Sequence, residues 1–157
     1  MFELTNKIAA ITGAGSGIGQ AMAFQFADQG AHVAVLEISD AAARATVDRI
    51  RASGGSASGH QCDVSSASNV RSVFQTLDSA YKRLDILVNN AGISHIGTVE
   101  STTEADFERI FQVNVKGVFL CTQAGIPLLL RSSSAVILNM ASIASHIGIA
   151  ERFAYSM

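Results

Sequence analysis

Tyr155 and Ser142, thirteen residues apart, are the side chains best suited to chemistry in this sequence. A phenol can act as acid–base, and a serine hydroxyl can donate to an oxygen on which charge develops. A free phenol titrates near ~10, so proton transfer at neutral pH needs a neighbouring cation. Far upstream, Thr12-Gly13-Ala14-Gly15-Ser16-Gly17-Ile18-Gly19 lies between an apolar run and a helical stretch. Glycines there admit positive φ and close backbone approach, and the following helix offers unpaired N–H groups and a positive dipole end. That combination suits a pyrophosphate. Glu37 closes the second apolar run, where a carboxylate can accept from ribose hydroxyls and repel an added phosphate. Asp63-Val64 and Asn89-Asn90-Ala91-Gly92 follow two further apolar runs, at strand ends where ligands sit in open sheets. Asn114 falls on an apolar helical stripe, where an amide without a partner costs about 2–7 kcal/mol.

These residues must be held by alternating strands and helices. Strands are expected over 7–12, 32–37, 58–62, 85–89 and 135–139. The first helix starts near Gly17, places Ile18, Met22 and Phe26 on one face and stops at Gly30. Ser39 caps a second helix with Val47 and Ile50 inward, closed by Gly54-Gly55. Val70, Val73, Phe74, Leu77 and Tyr81 keep helical spacing in a third. Ser101-x-x-Glu104 reads as a capping box that opens a long helix. Its stripe runs Phe107, Ile110, Phe111, Asn114, Val115, Val118, Phe119, and Pro127 should kink or end its last turn. Such alternation specifies an α/β fold, a doubly wound parallel sheet of the Rossmann type, in one domain over residues 1–157. The dinucleotide-binding version wants six strands in order 3-2-1-4-5-6. Five are present, which leaves the last as an apolar edge and suggests a chain truncated at its C-terminus.

Composition fits this reading. The chain of 157 residues is 48% hydrophobic with a net charge of −2, and no Lys/Arg run marks a nucleic-acid partner. No signal peptide opens it, and no apolar stretch is long enough to span a membrane, so a soluble cytoplasmic protein is expected. Cys62 and Cys121 lack metal-ligand spacing and read as buried free thiols; no metal site is expected. His32 and His60 are expected at the surface; His95 and His146 follow the Asn-Asn-Ala-Gly and Ser142 positions, where a substrate is one neighbour to consider, but a neutral surface histidine is the expected reading for each.

The glycine turn in its Gly13-x-x-x-Gly17-x-Gly19 form, Asn89-Asn90-Ala91-Gly92, Asn114-Val115-Lys116-Gly117, Ser142 and Tyr155 occur in one order along the whole chain. Together they resemble the short-chain dehydrogenase/reductase family. The resemblance implies an oxidoreductase that moves hydride between a secondary alcohol or ketone and NAD. Tyr155 would be the acid–base residue, Ser142 the substrate-oxygen donor and Asn114 the support of a water beside the active-site lysine. Gly13, Ser16, Gly17, Ile18 and Gly19 would cradle the pyrophosphate; Glu37, Asp63, Val64, Asn90, Ala91 and Gly92 would hold the rest of the cofactor. Relatives that prefer NADP often carry a basic residue where this chain has Ser16, so NADP is the less expected cofactor. A homo-oligomer, tetramer or dimer, is implied for the full-length protein through the helix bearing Asn114 and the one that begins near Tyr155.

The family's lysine follows the tyrosine by four positions, which lies past Met157, so the 157-residue chain alone is expected to be inactive. One rival reading is a noncatalytic NAD-binding fragment. Another is a methyltransferase on a similar sheet, which would use the glycine turn and Glu37 but has no need of Ser142 and Tyr155.

Overall fold

A computed structural model describes residues 3–156. The apolar runs become β1 (Ile8–Thr12), β2 (His32–Glu37), β3 (Ser56–Gln61), β4 (Ile86–Asn89) and β5 (Val136–Asn139). All pairings are parallel and the order is β3-β2-β1-β4-β5, the expected topology. Helices α1 (Gly17–Asp28) and α2 (Asp40–Ala52) cover one face; α3 (Ala67–Tyr81) and α5 (Gly117–Leu129) cover the other. Alternate residues of one strand therefore feed two cores. Ala10, Leu36 and Leu87 face α3 and α5, while Ile11, Val35 and Val88 face α1 and α2. Strand ends shift slightly: β3 starts two residues earlier than expected and ends one earlier, and β5 has all four residues exposed.

Ser39 caps α2 as expected, accepting from the Ala42 N–H. Three helical expectations are corrected. In α1 the fully buried face is Gly19, Ala23 and Ala27; Met22 and Phe26 pack half-buried against the same core, but Ile18 is 63% exposed. Small residues let α1 lie close on the sheet, a signal that a search for large apolar side chains passes over. The capping box is Thr103 with Asp106 rather than Ser101 with Glu104: the Thr103 hydroxyl donates to the Asp106 carboxylate at 2.7 Å and accepts from its N–H at 3.1 Å. Ser101 instead closes the preceding turn, accepting from the Thr98 N–H.

The long helix is not uniform. Helix α4 (Glu104–Phe111) reaches α5 through a wide π-turn over Gln112–Lys116. Phe107, Phe111, Val115 and Phe119 are all exposed, Phe119 to 58%. The buried side is Ile110, Gly117, Leu120, Cys121 and Leu128. Pro127 sits in the last turn of α5, which ends two residues later. Among the described residues no helix is long and apolar enough to cross a membrane.

Candidate active site

Both clusters of chemistry-bearing residues lie at the C-terminal ends of the strands. Gly13 (φ +65°) and Gly17 (φ +55°) make the turn between β1 and α1 with conformations that other residues rarely adopt. A Cβ at Gly19 would collide with the Gly13 carbonyl and the Asn90 amide, so only glycine lets α1 start this close to β4. The Ser16 side chain makes no capping bond to α1. The first N–H groups of that helix thus border an open cavity of about 410 Å³, lined by Gly13, Ser16, Gly17, Ile18, Glu37, Asp63, Val64, Asn90, Ala91 and Gly92 among others. Every residue expected to bind cofactor lines this cavity except Gly19, which is buried behind it.

Hydrogen bonds fix the shape of this region. Glu37 accepts from the N–H groups of Gly15 at 3.0 Å, Ile38 at 3.0 Å and Ser39 at 3.4 Å. Its carboxylate is thereby held at the outer end of the cavity. Asp63 accepts from the Ser65 N–H and hydroxyl, and Asn69 accepts from the Asp63 N–H at 2.6 Å. Gly117 explains the Asn-Val-x-Gly spacing: a Cβ there would meet Val64 Cγ2 at 2.9 Å, so glycine lets α5 press against the loop after β3.

Asn90 lines the first cavity and also has a tying role. Its side-chain amide donates to the carbonyls of Thr12 at 2.9 Å and Gly13 at 3.2 Å, tying β4 to the glycine turn. Any contact it makes with a cofactor runs past an amide that is already engaged. Two positioning residues escaped the sequence reading. The Thr12 hydroxyl accepts from the N–H groups of Asn90 and Ala91, and Gln20 donates to the Gly15 carbonyl at 3.1 Å and to Thr46 at 2.9 Å. Neither has a local sequence signal, because each partner lies on another element.

A second cavity of about 440 Å³ adjoins the first, and Ile18, Asn90, Ala91, Gly92 and Ile93 border both. Its lining includes Asn114, Ser142, Ser145 and Tyr155, so the three expected catalytic residues share one space. Among the described residues the Tyr155 hydroxyl has no hydrogen-bond partner. Ser142 accepts from the Ala144 N–H at 3.2 Å, leaving its own proton to donate. The amide of Asn114 is satisfied by one residue: it accepts from the Ile93 N–H at 2.9 Å and donates to the Ile93 carbonyl at 2.8 Å. This clamp, at the π-turn, fixes the loop after β4. Asn89, which also lines this cavity, is 3% exposed; it donates to Thr122 and Asn139, and its buried Oδ1 has no partner among the described residues.

His32 and His60 differ from expectation, whereas His146 is at the surface as expected. His95 turns away from the cavity, 3.6 Å from the Asp106 carboxylate on α4, and His146 is exposed after the Ser142 turn. His32 and His60 are half-buried rather than on the surface. Cys62 and Cys121 are free and buried as expected; burial pushes both thiols up to about 12.

The cradle, the carboxylate at its far end and the adjoining hydroxyl pair fit a nicotinamide dinucleotide. Comparison with known proteins agrees. A family model described as short chain dehydrogenase matches residues 7–157. An uncharacterized oxidoreductase of Thermotoga maritima is 42% identical over 96% of this chain and 59% of its own length. A short-chain dehydrogenase/reductase from Burkholderia phymatum, solved in complex with NAD, superposes with a TM-score of 0.94 at 33% identity, covering 99% of this chain and 56% of that one. A metagenomic short-chain oxidoreductase in complex with NADP gives 0.92 at 31% identity, covering 98% and 70%. The chain belongs to the short-chain dehydrogenase family. It spans 59% of the length of its Thermotoga relative.

Proposed function

We propose that this chain carries the cofactor site and most of the catalytic residues of an NAD-dependent oxidoreductase acting on a secondary alcohol or ketone. The observation that supports this most is the shared border of the two cavities. The glycine turn and Glu37 open onto one side of it, and Ser142 and Tyr155 onto the other. When bound, the nicotinamide supplies the hydride acceptor or donor. The first N–H groups of α1 hold a pyrophosphate, and Glu37 accepts from ribose hydroxyls at the outer end. Ser142 directs its free proton at the substrate oxygen, lowering the cost of charge there. Tyr155 exchanges a proton with that same oxygen. Asn114 acts through Ile93, keeping the loop between the cavities in place.

Glu37 and the absence of a basic side chain at Ser16 support NAD over NADP. The exposed row Phe107, Phe111, Val115 and Phe119 supports a homo-oligomer assembled through this helix. The test is binding followed by turnover. Titration with NADH should enhance its fluorescence, and the protein at its native length should reduce NAD with a secondary alcohol from a panel. A protein that binds neither dinucleotide would overturn the reading. One that binds but turns over no alcohol or ketone would restrict it to nucleotide binding.

A further inference from the structure

The segment that carries Tyr155 is entered through a residue in an unusual conformation. Glu151 has φ +56°, in the left-handed region that a glutamate rarely adopts. Lys82 has a similar φ, but it does so as the C-cap of α3, where such conformations are common. Glu151 ends no helix. Its side chain gives no reason either: it is exposed, and among the described residues its carboxylate makes no hydrogen bond or ion pair. The cause lies in the backbone. The Gly97 N–H donates to the Glu151 carbonyl at 2.9 Å, and the Phe153 N–H donates to the Gly97 carbonyl at 3.1 Å, so Gly97 pairs in parallel with Arg152. A positive φ turns the incoming chain while that carbonyl stays aimed at Gly97.

What this pairing holds is Tyr155. The Ser156 N–H donates to the carbonyls of Arg152 at 2.9 Å and Phe153 at 3.2 Å, closing a single turn that contains Tyr155 and the fully buried Ala154. The Phe153 ring lies against Phe107 of α4, with centroids 6.5 Å apart. Gly97 itself follows, by four residues, the Ile93 that Asn114 clamps. The turn bearing the tyrosine is thus tied to the loop that separates the two cavities. No side-chain bond fixes the Tyr155 ring, because its hydroxyl has no partner among the described residues, so its aim into the cavity it shares with Ser142 comes from the backbone. We propose that Glu151 is a positioning residue, whose left-handed backbone, held by Gly97, directs the Tyr155 hydroxyl into the catalytic cavity. The proposal rests on Tyr155 being the acid–base residue.

A residue held in such a conformation is opposed by its own side chain and persists only where its surroundings over-determine it. Here the surroundings are the paired bonds to Gly97, which has little room to shift: a Cβ on it would meet His95 Cε1 at 2.6 Å and Thr102 Oγ1 at 2.9 Å. The residue type at 151 therefore sets how firmly the turn is kept. Glycine and asparagine accept a positive φ, a β-branched residue opposes it strongly, and glutamate lies between. Position 151 is a lever on Tyr155 that works through the main chain, with its own side chain in solvent.

The experiment compares Glu151→Val, Glu151→Asn and Glu151→Gly in the protein at its native length. Glu151→Val should lower kcat by about tenfold or more while NADH affinity stays within about twofold of normal, since a small displacement of a catalytic group costs rate rather than binding. Glu151→Asn and Glu151→Gly should keep the unaltered kcat, although both also remove the carboxylate. A second readout needs no activity. With tyrosine labelled at Cζ with ¹³C, the Tyr155 resonance, assigned through Tyr155→Phe, should move or broaden in Glu151→Val and stay in place in the other two variants. The Tyr81 resonance should stay in place in all three. An unchanged kcat or an unmoved Tyr155 resonance in Glu151→Val would overturn the proposal. Equal losses in all three variants would overturn it too, because the carboxylate and not φ would then be at work. The expected pattern of resonances in a protein that turns over no alcohol or ketone would support the positioning while removing the acid–base reading of Tyr155.

Discussion

The N–H of Gly15 donates to Glu37 Oε2 at 3.0 Å, so the carboxylate that would read a ribose also braces the glycine turn. Glu37→Ala should therefore do two things at once. Affinity for NAD should fall modestly as the turn loosens, and the preference for NAD over NADP should shrink by at least about tenfold as like-charge repulsion is lost. Fluorescence titration with NADH and NADPH measures both. Equal affinity of the unaltered protein for the two would contradict the role of Glu37.

Gly19→Ala should be far more damaging than its size suggests. The added methyl meets the Gly13 carbonyl and the Asn90 amide, which are backbone and a clamped side chain and cannot swing aside. Dinucleotide binding should be lost and stability should drop by about 1–3 kcal/mol, the usual cost of overpacking. A thermal melt beside a binding titration checks this; an unchanged melt with normal binding would count against the packing argument.

Tyr155→Phe keeps the ring and removes the oxygen. In the protein at native length, turnover should fall about 10²–10⁴-fold while NADH affinity stays within twofold or so of normal. A loss of tenfold or less would mean that another group moves the proton.

Asp85 is a stability determinant away from the chemistry. It is 3% exposed and accepts from the Ile8 N–H at 2.9 Å, Arg83 at 3.1 Å and Ser132 at 2.6 Å, joining the start of β1 to the loop before β5. Burial raises its carboxyl, but the bonds from Ser132, Ile8 and Arg83 outweigh burial and hold it below the ordinary range. A depressed folded value contributes stability that is present above the unfolded value near ~3.9 and lost as pH falls through the folded one. Asp85→Asn should cost about 1–3 kcal/mol at pH 7 and flatten the decline of melting temperature on acidification.

The two cysteines act at the other end of the pH range. With both thiols at about 12 in the folded chain, protonation favours the folded state, and that advantage is lost as pH rises above the unfolded value of ~8.5. Melting temperature should fall between pH 9 and 11, less steeply in Cys62→Ala/Cys121→Ala. Neither thiol should react with Ellman's reagent until the chain unfolds.

What the sequence revealed followed from local pattern. Strands β1, β2 and β4 are short apolar runs that end at polar or glycine positions, and the register of their side chains follows from alternation. Most residues expected around the two cavities were legible because they follow a strand or open a helix, and Asn114 because it is a polar residue on an apolar stripe. What stayed hidden was relational. Nothing near Tyr81 announces that its hydroxyl meets His32, 49 positions away, and nothing near Thr12 tells that its hydroxyl meets the N–H groups of Asn90 and Ala91. The π-turn was hidden too, because Gln112-Val113-Asn114-Val115-Lys116 carries no proline or glycine to mark it.

The strip from Asn90 to Ile93 is a party wall, one surface of which belongs to each cavity. It is bolted to the glycine turn at one end by Asn90 and to the π-turn at the other by Asn114. A designer wishing to change cofactor preference and substrate range independently should leave that strip untouched. Edits near Glu37 would address one occupant and edits near Ser94 and Met140 the other, whereas an edit in the wall would couple the two and make directed evolution trade one against the other.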